Sequence, residues 1–120
     1  MLLIEELQRL IAAEDSLFRA QLLREDVARL DKLAELARST DDVEAFKRAG
    51  RRIGWTQGDA RTGELGAALD ALLEAAFDYA RTGADAAHES RIRAAWEALH
   101  RVRMERLLGC LATPVPKPVD

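Results

Sequence analysis

Residues 2–38 read LLIEELQRLIAAEDSLFRAQLLREDVARLDKLAELAR, and neither glycine nor proline occurs before Gly50. Those two residues are the strongest local breakers of regular structure, so nothing of that kind punctuates the first part of the chain. Apolar residues recur at helical spacing: Ile4, Leu7, Ile11, Phe18, Leu22, Leu30, Leu33, then Leu36 or Ala37. A second row, Leu3, Leu10, Leu17, Leu23 and Val27, widens the face. The pattern predicts one helix over residues 2–38, about 55 Å long at ~1.5 Å per residue. Two acidic pairs, Glu14-Asp15 and Glu25-Asp26, interrupt the stripe eleven residues apart. Eleven residues is three helical turns, so both pairs fall on the apolar face. Asp15 or Ser16 also has the chemistry of a cap that would divide the rod there.

Downstream, Ser39-Thr40-Asp41-Asp42 ends this helix and starts a short one over about 41–52, with Val43, Phe46, Ala49 and Ile53 facing inward. Asp41 and Glu44 have capping-box spacing. Gly54, Gly58 and Gly63 bracket a loop containing Trp55, read as a hydrophobic plug against the bundle. Thr62 is placed as the cap of a helix over 63–81, whose core face is Leu65, Leu69, Leu72, Leu73, Ala76, Phe77 and Ala80. Asp85 is placed as the cap of a helix over 86–108 ended by Gly109, with Ile92, Ala95, Trp96, Leu99, Val102 and Leu107 inward. The expected fold is all-α: a four-helix bundle with a long N-terminal helix over residues 1–112, then a proline-rich flexible tail, 113–120.

The composition limits the function classes. A net charge of −3 argues against a globally basic nucleic-acid binder. The single Cys110 cannot form an intrachain disulfide, which points to a reducing, cytoplasmic setting. Met1-Leu2-Leu3-Ile4 is followed at once by Glu5 and Glu6, unlike a signal peptide, and no apolar run approaches a membrane span. Asp70, Glu74 and Asp78 stack three carboxylates on one helix face. No Glu-x-x-His motif accompanies them, so opposing arginines, and neither a metal nor another cofactor, are expected there.

Three functional readings follow. The rod outruns helices of about 30–35 Å, which leaves part of its stripe uncovered. Ile4, Leu7, Ile11, Phe18, Leu30 and Leu33 then form an interaction surface, its cheapest partner a second copy packed antiparallel as a coiled-coil homodimer. On this reading the protein is a non-enzymatic helical interaction or assembly protein that self-associates and binds another protein. An alternative is nucleic-acid binding through Lys47, Arg48, Arg51, Arg52 and Arg61, a basic segment containing Asp59 as its single acid. Residues 46–57 there resemble the start of a phage-repressor-type helix-turn-helix, with Gly54, Thr56 and Gln57 at the turn, although Gly58-Asp59-Ala60-Arg61 departs from the pattern. A further alternative is a small helical ribonuclease using Arg93 and His100, seven residues apart on one helix face.

Overall fold

A computed structural model describes residues 1–55, 63–82 and 85–112, with side chains described to residue 106. Among the described residues the chain is all-helical, with no strand. Five helices follow in order: α1 (Leu2–Ala13), α2 (Leu17–Ser39), α3 (Val43–Arg51), α4 (Gly63–Thr82) and α5 (Ala86–Ala112).

The expected N-terminal rod is broken at residues 14–16. Glu14 adopts an extended conformation and its N–H bonds back to Ile11 O, while Ser16 caps α2 by accepting from the Arg19 N–H. Burial explains the break. A straight helix would carry Leu3 and Leu7 away from the molecule, whereas both are fully buried. Burying each contributes ~1.5–3 kcal/mol. The helical hydrogen bonds given up at the break cost about 0.5–1.5 kcal/mol apiece, and the Ser16 cap recovers part of that.

Side-chain pairs fix the helix directions. Glu89 meets Leu2 and Arg93 meets Glu6, so α1 runs parallel to α5. Asp78 meets Arg91 and Tyr79 meets Glu89, so α4 and α5 are antiparallel. Asp26 lies against Trp96 and Arg103, whereas Ala37, farther along α2, accepts from Arg81 beside the start of α5. Helix α2 is therefore antiparallel to α5, and α1 folds back along α2 as a hairpin. Glu74–Lys47 and Asp70–Arg51 set α3 antiparallel to α4.

The core contains the expected Leu65, Leu69, Leu72, Leu73, Ala76, Ile92, Trp96, Leu99 and Val102. Ala80 and Val43, expected inward, are exposed at helix ends. The side chain of Leu107, the Thr62 cap, the 56–62 loop and the 113–120 tail lie outside the described residues. Asp42 rather than Asp41 caps α3, accepting from Glu44 N–H at 3.0 Å. Asp85 caps α5 as expected, accepting from His88 N–H at 2.8 Å. Gly109 does not end α5, which continues to Ala112. Gly50 permits α3 to approach closely: a Cβ there would sit 2.5 Å from Leu73 Cδ2. Gly54, at φ +82°, then reverses the chain. Trp55 folds back into the core and donates to Gly50 O at 2.9 Å, as its plug reading requires.

Helix α1 has no side-chain cap of its own. Its first free N–H, that of Leu2, is accepted by the Glu89 carboxylate at 3.1 and 3.3 Å. Tyr79 donates its hydroxyl to the same carboxylate at 2.6 Å. Burial, followed by the Glu89 hydrogen bond and charge, pushes the Tyr79 phenol up to about 12. The folded state thus favours the protonated phenol. The linked stability is fully present below the ordinary value of about 10 and is lost as pH rises through 12. Tyr79 is the single tyrosine of the chain, so phenolate absorbance should show one transition near 12 that vanishes in Tyr79→Phe. A midpoint near ~10 would mean that the Tyr79–Glu89 contact does not persist in solution.

Candidate functional site

Two features stand apart from ordinary helix packing. One is a charged cluster in the interior, the other an apolar surface at the turn between α1 and α2.

Asp26 occupies an apolar-face position of α2 and is 1% exposed. Arg103 on α5 holds both of its oxygens, Nη1 reaching Oδ1 at 2.8 Å and Nη2 reaching Oδ2. Arg29 adds a bond to Oδ1 at 2.7 Å, and the Trp96 indole N–H donates to Oδ2 at 2.8 Å. Burial alone would push the Asp26 carboxyl up. The hydrogen bonds and charge of Arg103, with Trp96 and Arg29, outweigh it and hold the carboxyl below the ordinary range. The guanidinium groups of Arg29 and Arg103 also lie over Trp55, at 5.7 and 6.0 Å from the ring centre. Four donors on one carboxylate leave it no free lone pair to act as a base, so the arrangement pins α2, α5 and Trp55 together. The sequence did place Asp26 on the apolar face. Its partner, 77 residues away, carries no local signal.

His100 stacks on Trp96, with ring centres 4.7 Å apart and planes at 13°. Burial, then the positive charge of Arg103, lowers its pKa against the opposing pull of Asp26. Arg93, its proposed partner in the nuclease reading, is instead bonded to Glu6 at 2.8 Å and Glu97 at 3.2 Å. A neutral stacked imidazole and an arginine held by two carboxylates are poorly set for phosphate chemistry.

The acidic ladder on α4 meets a base at each step: Asp70 pairs with Arg51 at 2.6 Å, Glu74 with Lys47 at 2.6 Å, and Asp78 with Arg91. Opposing bases were expected, and α3 and α5 supply them. The same pairs occupy Lys47 and Arg51, two residues of the basic segment. Arg48 and Arg52 are exposed, and Arg61 lies outside the described residues.

The apolar surface sits at the hairpin turn. Leu17 is 85% exposed, Phe18 53% and Leu10 47%. Leu10 lies in the last turn of α1 while Leu17 and Phe18 open α2, so all three flank the 14–16 link. Of the residues expected to meet a partner, Phe18 belongs to this surface, and Ile4 and Ile11 pack partly buried against the core. Leu7, Leu30 and Leu33 are wholly interior, and Leu33 lies where α3 makes its close approach at Gly50. Sequence periodicity assigned Leu10 and Leu17 to a secondary row, and both are exposed on either side of the break at 14–16.

No group of three His, Cys, Asp or Glu side chains that could hold a metal ion occurs among the described residues. Nor is any helix described long and apolar enough to cross a membrane. No family model, curated protein or solved structure matches the chain.

Proposed function

We propose that this chain is a non-enzymatic helical interaction protein that acts by self-association and by binding another protein. The carrying observation is the surface of Leu10, Leu17 and Phe18 at the α1–α2 turn. Large apolar side chains left exposed on both sides of one short link are costly in water, and their cover by a partner is the reading they support. Leu17 in particular makes little intramolecular use of its side chain. The ion pairs that occupy Lys47, Arg51 and Arg93 favour this reading over nucleic-acid binding and over phosphodiester cleavage.

Sedimentation over a concentration series up to about 200 µM tests it, a range that reaches weak dimers. The wild type should move from monomer toward dimer with rising concentration. Leu17→Glu/Phe18→Glu should stay monomeric with an unchanged thermal midpoint, because both side chains are exposed. A wild type that remains monomeric throughout removes self-association.

A further inference from the structure

We infer that self-association proceeds by exchange of α1: the 14–16 hinge straightens, and the α1 of each copy docks on the α2 and α5 of the other. This rests on the self-association proposed above and specifies its form. Three observations converge on it.

The hinge is made of residues that a helix accepts. Glu14, Asp15 and Ser16 include neither glycine nor proline, and the sequence on both sides has helical periodicity. The break is held by modest local bonds, the Ser16 hydroxyl accepting from Arg19 N–H at 3.3 Å and Glu14 accepting from Ser16 N–H at 3.1 Å. Straightening gives up those bonds and restores helical ones.

The occupant is already specified. The site for α1 is formed by its packing on α2 and by the Glu89 and Arg93 contacts of α5. An identical α1 from a second copy fills it with the same Leu3 and Leu7 burial, so exchange costs no contact that the monomer makes there. Direction also fits, since α1 is antiparallel to α2 in the hairpin. Two straightened copies therefore lie antiparallel about a two-fold axis at the hinge.

The exposed apolar residues flank the hinge. In a continuous helix Leu10 and Leu17 are seven apart, two turns on one face, with Phe18 beside them. The two-fold axis brings these residues of both copies together. Exchange thus covers the side chains that the closed monomer leaves in water.

Three variants of the full chain test the mechanism by sedimentation, with circular dichroism confirming each fold. Asp15→Pro blocks a continuous helix, yet the extended Glu14 before it (φ −83°, ψ 124°) suits a residue preceding proline. It should remain monomeric where the wild type dimerises. Ser16→Ala removes the α2 cap and should strengthen the dimer about thirty-fold, since two caps are lost per dimer. Spin labels at exposed positions 5 and 32, on a Cys110→Ser background and diluted with unlabelled protein, read the geometry directly. A straight helix separates them by about 40 Å, from ~1.5 Å per residue. Antiparallel hairpin helices hold them closer, so the long distance should appear only as dimer forms. Dimerisation by Asp15→Pro at the wild-type level, or a dimer lacking the long distance, overturns exchange and leaves self-association standing. Monomeric wild type and monomeric Ser16→Ala overturn both.

Discussion

Asp26→Ala is expected to remove a large share of the protein's stability, about 3–5 kcal/mol, while leaving a foldable chain. Removing one member of a buried ion pair costs ~3–5 kcal/mol, because the partner charge stays inside without its counterion. Domains of this size are stable by about 5–15 kcal/mol in total. Arg103 would lose both its carboxylate contacts, Arg29 its interior partner and Trp96 its acceptor. Urea denaturation followed by circular dichroism measures the loss. The double change Asp26→Leu/Arg103→Met should recover much of it, leaving the Trp96 N–H unsatisfied at about 1–3 kcal/mol. A loss below ~1 kcal/mol for Asp26→Ala would mean that water reaches the cluster. The same residue sets the acid limit. Its carboxyl is lowered in the folded state, so the linked stability is present above the ordinary value of about 4 and disappears as pH falls through the folded one. His100 acts in the same direction. Its lowered pKa makes stability full above about 6.5 and smaller as acid protonates the imidazole beside Arg103.

Phe46→Ala should cost about 3–5 kcal/mol, the range for emptying a buried aromatic site. The side chain is fully buried, its ring centre 5.2 Å from that of Phe77. Helix α3 has nine residues, too few to persist without tertiary support. Its partly exposed pairs, Lys47–Glu74 and Arg51–Asp70, contribute at most ~1 kcal/mol each. Phe46 and the close approach at Gly50 therefore anchor α3. Because Trp55 bonds to Gly50 O, loosening α3 should release the indole as well. Hydrogen exchange should show α3 opening well below the global free energy in Phe46→Ala, with α4 and α5 still protected. Uniform protection across all three would show that the ion pairs suffice.

Helical class, the core faces of α4 and α5, the Asp85 cap and the plug role of Trp55 were legible because they are local or periodic. The break at 14–16 was half legible. Ser16 has capping chemistry, but whether a cap breaks a helix depends on what the break buries, and the burial of Leu3 and Leu7 is a tertiary fact. The interior Asp26 cluster was less legible still. An acid on an apolar stripe signals a buried partner, yet fifteen arginines offered no way to single out Arg103. Which apolar residues of the first 38 stay exposed was only partly legible. Periodicity groups residues along a straight axis, whereas the fold buries Leu30 and Leu33 and leaves Leu10 and Leu17 exposed beside the 14–16 link.

Both tryptophans of the chain sit at the Asp26 cluster: Trp96 bonds to its carboxylate, and Trp55 lies beneath its two guanidinium groups. Indole emission is consequently a gauge of that one junction, dimming or shifting when α2, α5 and the 55 region part. Helix α1 contains no fluorophore, so its departure would pass unseen by such optics. A fluorescence melt and a hydrodynamic titration of this protein therefore follow two different events.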